Sequence, residues 1–147
     1  MSVTRPEQPP ASAEPGPGPG PHPVPGPLLV AAAVVALEGV ALAVYGLVQL
    51  PALTADRATM VVTNTVFFLA YGAGLVAFAW LLRRLRSWAR APVVLAQLIQ
   101  LGVAWSFRGG GTTAVSALLT VLAVVVLVGV LHPASLRAID HADADRD

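Results

Sequence analysis

Between Leu28 and Leu131 the chain is almost entirely apolar, broken into four long runs by short connections. The runs cover about 28–50, 60–82, 91–107 and 113–131. An α-helix rises 1.5 Å per residue, so roughly 20 residues cross a hydrocarbon layer about 30 Å thick. The first, second and fourth runs have that length. The third is shorter and carries two glutamines, Gln97 and Gln100. Hydrocarbon offers no hydrogen bonds to a bare backbone, so a spanning run adopts the helix, which satisfies its own peptide groups. The expected fold is therefore all-α, a four-helix transmembrane bundle. Composition agrees: 56% of residues are hydrophobic and 12% charged, about half the charged share of a soluble domain. Mean hydropathy is +0.72.

Three regions follow. Residues 1–26 form a Pro- and Gly-rich tail around Gly16-Pro17-Gly18-Pro19-Gly20-Pro21. The alternation has period two, not the period three of collagen, and too few apolar residues are present to offset the entropy of ordering. A disordered tail is expected, with a ligand for a proline-recognising domain as the sharper reading. The transmembrane domain is 27–133, and 134–147 is a short polar C-terminal tail. The first apolar run is too long for the h-region of a cleaved signal peptide. Pro51 closes the first helix, and His132-Pro133 closes the fourth. Ser87 is an expected N-cap for the third, with Pro92 in its first turn. Arg108-Gly109-Gly110-Gly111 is a tight hairpin loop. Connections this short make successive helices antiparallel neighbours.

All nine basic residues are arginine, and their placement sets an orientation. Arg83, Arg84, Arg86 and Arg90 lie in the second loop, and Arg137 and Arg146 follow the fourth run. Arg57 and Arg108 alone fall in the other two loops. The positive-inside rule puts the second loop and both termini in the cytoplasm, for a multi-pass protein of the cell membrane. Trp80 and Trp88 then fall at the inner interface and Trp105 near the outer one.

No cysteine is present, which excludes disulfides, thiol nucleophiles and zinc-thiolate sites. No histidine lies in a run, and the acidic tail around His141 reads as solvated, not as a metal site. No catalytic constellation or nucleotide-binding loop stands out. The expectation is a chain that is not an enzyme, with no cofactor and no nucleic-acid partner.

One ionisable side chain, Glu38, sits in the middle of a run. A carboxyl at mid-membrane costs a few kcal/mol on insertion scales and is a functional candidate for that reason. At about 100° per residue, Tyr45 and Gln49 lie in nearly its direction. Thr63, Asn64 and Thr65 are in the outer half of the second run, and Thr113, Ser116 and Thr120 share a face of the fourth. Two readings stand open. One is an outward-facing polar pocket floored by Glu38 and built from Tyr45, Gln49, Asn64, Gln97 and Gln100. The other is interhelical hydrogen bonding, with Glu38 pointing inward to Gln100 and Gln97, its nearest partners by depth, and Asn64 too far out. Ala70 with Gly74, and Ala73 with Ala77, are small-residue pairs suited to close helix approach. Arg83, Arg84, Arg86 and Arg90 are candidate contacts to anionic lipid headgroups, at about 1 kcal/mol each, besides setting topology.

The stretch Arg84-Leu85-Arg86-Ser87-Trp88-Ala89-Arg90-Ala91-Pro92, then Gln97-Leu98 and Ala104-Trp105, together with Glu38 in the first run, resembles small four-helix membrane proteins of actinobacteria. The resemblance covers roughly residues 28–138. It implies topology and transfers no activity and no site. Glu38 is also similar in kind and depth to the essential carboxylate of small multidrug-resistance transporters, whose surrounding motifs are not found here. The expected role is a non-enzymatic accessory or assembly component, in contact with the bilayer and with another membrane protein or a second copy of itself. The alternative is a small proton-coupled transporter acting through Glu38.

Overall fold

The computed structural model describes residues 23–52 and 58–144. The tail over 1–22, the Asp56-Arg57 connection and residues 145–147, Arg146 among them, lie outside the described residues.

Five α-helices account for most of the described chain, and no strand occurs among these residues. They are α1 (Gly26–Val48), α2 (Ala58–Arg83), α3 (Arg90–Ser106), α4 (Thr113–Leu131) and α5 (Pro133–Ala144). The helices α1, α2 and α4 are long and apolar enough to cross a membrane, which marks the chain as a membrane protein. The 17 residues of α3 fall just short of them, at roughly 25 Å of rise. A third or less of each long span is buried, so most of every helix surface faces outward, as a lipid-solvated helix requires.

Local chemistry explains the ends. Pro27 sits in the first turn of α1, where its missing N–H is one the helix leaves unbonded anyway. Leu85 closes α2 in the left-handed region, at φ 54°. Arg86 N–H donates to Leu81 O at 3.1 Å and Leu85 N–H to Leu82 O at 3.0 Å, the two bonds of a Schellman ending that normally uses glycine. Leucine holds the position because its side chain is 5% exposed within the core. Burial worth about 1.5–3 kcal/mol offsets a left-handed penalty of about 1–2 kcal/mol. The expected Ser87 cap is corrected: Ser87 opens a 3-10 turn, Ser87–Ala89, and α3 starts at Arg90 with no side-chain cap.

The C-terminal region departs most from expectation. Residues 134–147 read as a polar tail, yet Pro133–Ala144 is a helix docked under the bundle. Ser135, Ile139 and Ala142, spaced four and three apart, form one buried face. Ser135 Oγ donates to Gly129 O at 2.7 Å. The ring Nδ1 of His132 accepts from the N–H of Ala134 at 3.2 Å, so the residue that ends α4 also caps α5.

The close approach of α1 and α2 rests on glycine. A Cβ added to Gly39 would lie 2.6 Å from the carbonyl oxygen of Gly72, and one on Gly72 would strike that of Gly39. Two turns away, Thr65 Oγ1 donates to Gly46 O at 3.0 Å. Gly39 with Gly46, and Thr65 with Gly72, are each seven apart, so one seam runs straight along both helices. The expected small pairs make no such seam. Ala70, Ala73 and Ala77 are exposed, and a Cβ on Gly74 would meet nothing within 4 Å. They occupy the face of α2 turned away from α1. A second crossing, of α4 on α1, is at Gly129 against Pro27 and Ala31.

The apolar core occupies one half of the bundle. Leu28, Val35, Leu75, Leu82, Val93, Val126, Val130 and Ile139 belong to it, all between Glu38 and the end that carries the 83–90 loop. Beyond Glu38, the buried residues Gly39 and Gly46 of α1 face α2. In that half Ser116 Oγ of α4 donates to Ala104 O of α3 at 2.6 Å. Two hairpins, α1–α2 and α3–α4, thus share one apolar core in the first half, and in the second each buries its small and polar residues mainly within itself.

Candidate functional site

Glu38 stands where the shared core ends. It is midway along the 23-residue α1 and 8% exposed. Gln97 and Gln100 are three residues apart on α3, hence on one face, and straddle the carboxyl group. Gln97 Nε2 donates to Glu38 Oε2 at 2.9 Å, and Gln100 Nε2 donates to Oε1 at 2.8 Å. The Gln100 amide also donates to Leu119 O of α4 at 3.3 Å. Three helices meet at one carboxyl group, and both of its described hydrogen-bond donors are neutral amides.

The arrangement leaves one atom over. Gln97 Oε1 is buried and has no partner among the described residues, although Gln97 as a whole is 1% exposed. That orphan acceptor has a chemical consequence. An ionised Glu38 uses both amide donors as they stand. A neutral Glu38 needs an acceptor for its own proton, and rotation of the Gln97 amide offers Oε1. Turning that one side chain exchanges a donor for an acceptor beside the carboxyl group.

The other expected members of this site are elsewhere. Tyr45 is half exposed and packs edge-on against Phe68, with ring centroids 5.3 Å apart. Gln49 Nε2 donates to the Tyr45 hydroxyl at 3.4 Å, outside the cluster. Asn64 is exposed, and its neighbour Thr65 is the residue that turns inward. So the polar stripe Glu38–Tyr45–Gln49 does not close into a pocket with Asn64. Helical phase aligns the three residues, but beyond Glu38 the buried positions of α1, Gly39 and Gly46, face α2, and Tyr45 on the Glu38 side is half exposed. The Leu119 carbonyl leaves no mark in sequence, since any helix carbonyl can accept a second hydrogen bond through its other lone pair.

At the opposite end the arginines divide. Arg90 Nη2 is 3.6 Å from Asp140 Oδ1 of α5. The Arg84 guanidinium lies over the Trp80 ring, 3.9 Å from its centroid. Arg83 and Arg86 are exposed. Arg83 lines an apolar groove between α1 and α2 with Leu29, Ala33, Ala36, Val76 and Trp80. No group of three or more His, Cys, Asp or Glu side chains able to hold a metal ion occurs among the described residues. Comparison with models of protein families, with curated proteins and with solved structures finds no match for this chain.

Proposed function

We propose that the chain is a non-catalytic component of the cell membrane that assembles with another membrane protein through the face of α1 left exposed beyond Glu38. On this reading α3 crosses the membrane as α1, α2 and α4 do. Its exposed Leu95, Leu98, Ile99 and Val103 need an apolar solvent. The arginine-bearing loop and both termini are cytoplasmic, in keeping with the arginine bias. The observation that carries the proposal is the exposure of α1 beyond Glu38, where Val40, Val44 and Tyr45 are each about half exposed. Helices that have already crossed a bilayer associate by packing and hydrogen bonding, not by hydrophobic burial. A helix face exposed in this way is suited to receive a further helix. The Glu38–Gln97–Gln100 cluster fixes the depth at which that face begins.

A photo-crosslinking side chain at Tyr45, on the Glu38 side of α1, tests this in intact cells. A single discrete adduct from Tyr45, with none from the lipid-facing Leu37, is the expected result. An adduct of twice the chain mass identifies the partner as a second copy. A smear or no product from Tyr45 refutes the proposal. A second reading, a small proton-coupled transporter, draws on one observation: a buried carboxyl group stands midway along a membrane-spanning helix, held by two neutral amides. Proton flux in vesicles that disappears in Glu38→Gln distinguishes it.

A further inference from the structure

We infer that the groove between α1 and α2 is a binding site for one acyl chain of an anionic phospholipid whose phosphate is held by Arg83. The groove encloses about 420 Å³ and is walled by Leu29, Ala33, Ala36 and Val76. Alanine at two wall positions, Ala33 and Ala36, keeps the channel open, where larger side chains would fill it. It runs along the half of the bundle that holds the core, so its floor is fixed by packed residues: Ala32 and Ala79 are 1% and 2% exposed. Its lining changes character only at one end. There Trp80 and Arg83 take over from the aliphatic wall, and the Arg84 guanidinium stacks on the outer face of Trp80. An apolar slot leading to a tryptophan and the Arg83 guanidinium matches a lipid in order and in polarity. The tail lies on alanine, the glycerol backbone lies level with the indole, and the phosphate meets arginine.

Charge selects this groove over the others. A second apolar groove also ends on an arginine, Arg90, with Ala91, Val94, Leu98, Leu131 and Leu136 on its walls. But Arg90 already faces Asp140 at 3.6 Å, so its charge is partly neutralised. Arg83 has no acidic partner among the described residues, and the exposed Arg86 adds the same sign. Grooves without an arginine, such as that of Pro27, Val30, Val124 and Val128, have nothing to distinguish one headgroup from another.

The test uses the full chain in a mild non-ionic detergent, read by native mass spectrometry. Phosphatidylglycerol and phosphatidylcholine with identical acyl chains are titrated separately. One phosphatidylglycerol per chain is expected to be retained at lower concentration than phosphatidylcholine. Arg83→Gln should weaken that retention roughly fivefold, the effect of one near-surface charge, while Arg83→Lys and Arg137→Gln leave it within about twofold. Ala33→Phe, at an exposed groove position that disturbs no core contact, should abolish retention with Arg83 intact. Ala36→Leu should do the same by a second route. Equal retention of the two lipids, or equal losses from Arg83→Gln and Arg137→Gln, overturns the site in favour of diffuse attraction. Unchanged retention in both groove-filling variants, or full competition by inorganic phosphate, overturns it in favour of a headgroup-only contact.

Discussion

Replacing Glu38 by leucine removes the acceptor shared by two buried amides, and the structure sets what that should cost. Gln97 Nε2 and Gln100 Nε2 donate to the two carboxyl oxygens at 2.9 and 2.8 Å. Leaving a buried donor unsatisfied costs about 1–3 kcal/mol. Gln100 retains a second acceptor, Leu119 O, at 3.3 Å, so the full penalty falls on Gln97 alone. Glu38→Leu should therefore destabilise by about 1–3 kcal/mol, not by twice that. Glu38→Gln behaves differently. Its new carbonyl oxygen still accepts from Gln100, and its new amide nitrogen donates to the orphaned Gln97 Oε1 once that amide turns. The variant should lie within about 1 kcal/mol of the parent. Thermal unfolding followed by circular dichroism in detergent reads both. At about 2–4 °C per kcal/mol for a chain of this size, the leucine variant should melt roughly 2–12 °C lower and the glutamine variant within about 4 °C. Adding Gln97→Leu to Glu38→Leu should restore part of the loss, because the unpaired donor goes too. A leucine variant as stable as the parent, or a glutamine variant that loses as much as leucine, would falsify the hydrogen-bonded cluster.

Three further outcomes are expected. Gly72→Ala should destabilise by about 1–3 kcal/mol through overpacking against the Gly39 carbonyl, whereas Gly74→Ala, facing open space, should stabilise by about 0.5–1 kcal/mol through helix propensity; denaturation of the pair side by side checks it, and equal effects would refute the seam. Ile139→Ala should cost about 2–4 kcal/mol, and hydrogen exchange should report it as faster opening of α5 with α1 and α2 still protected; uniform loss of protection would mean that α5 is not a separate unit. Trp88→Cys, in the loop proposed as cytoplasmic, should resist membrane-impermeant maleimide in intact cells and react after lysis, while Gly110→Cys should react in both; reaction of the first from outside would reverse the orientation.

Length and charge made the spans readable. Twenty apolar residues have few stable fates, and a carboxyl group among them must find donors at its own depth. That is why depth along the helices pairs Glu38 with Gln97 and Gln100. Amphipathic periodicity has less to say here than in a soluble chain. Lipid is as apolar as a protein interior, so exposed Val40 and Leu37 look no different in sequence from buried Val35 and Leu28. Which small residues make the seam was therefore hidden: Gly39 and Gly72 do, while Ala70 and Gly74 do not. The end of the shared core at Glu38 was hidden for the same reason, and with it the separation of Tyr45 and Asn64 from Glu38. The docking of α5 was legible in part, through the spacing of Ser135, Ile139 and Ala142, but a polar tail and an interfacial helix share a composition. Sequence alone determined that long apolar segments leave water and which polar groups pair within them. Tertiary structure decided which faces meet, because in hydrocarbon that choice depends on backbone proximity and side-chain shape, and neither is written in hydropathy.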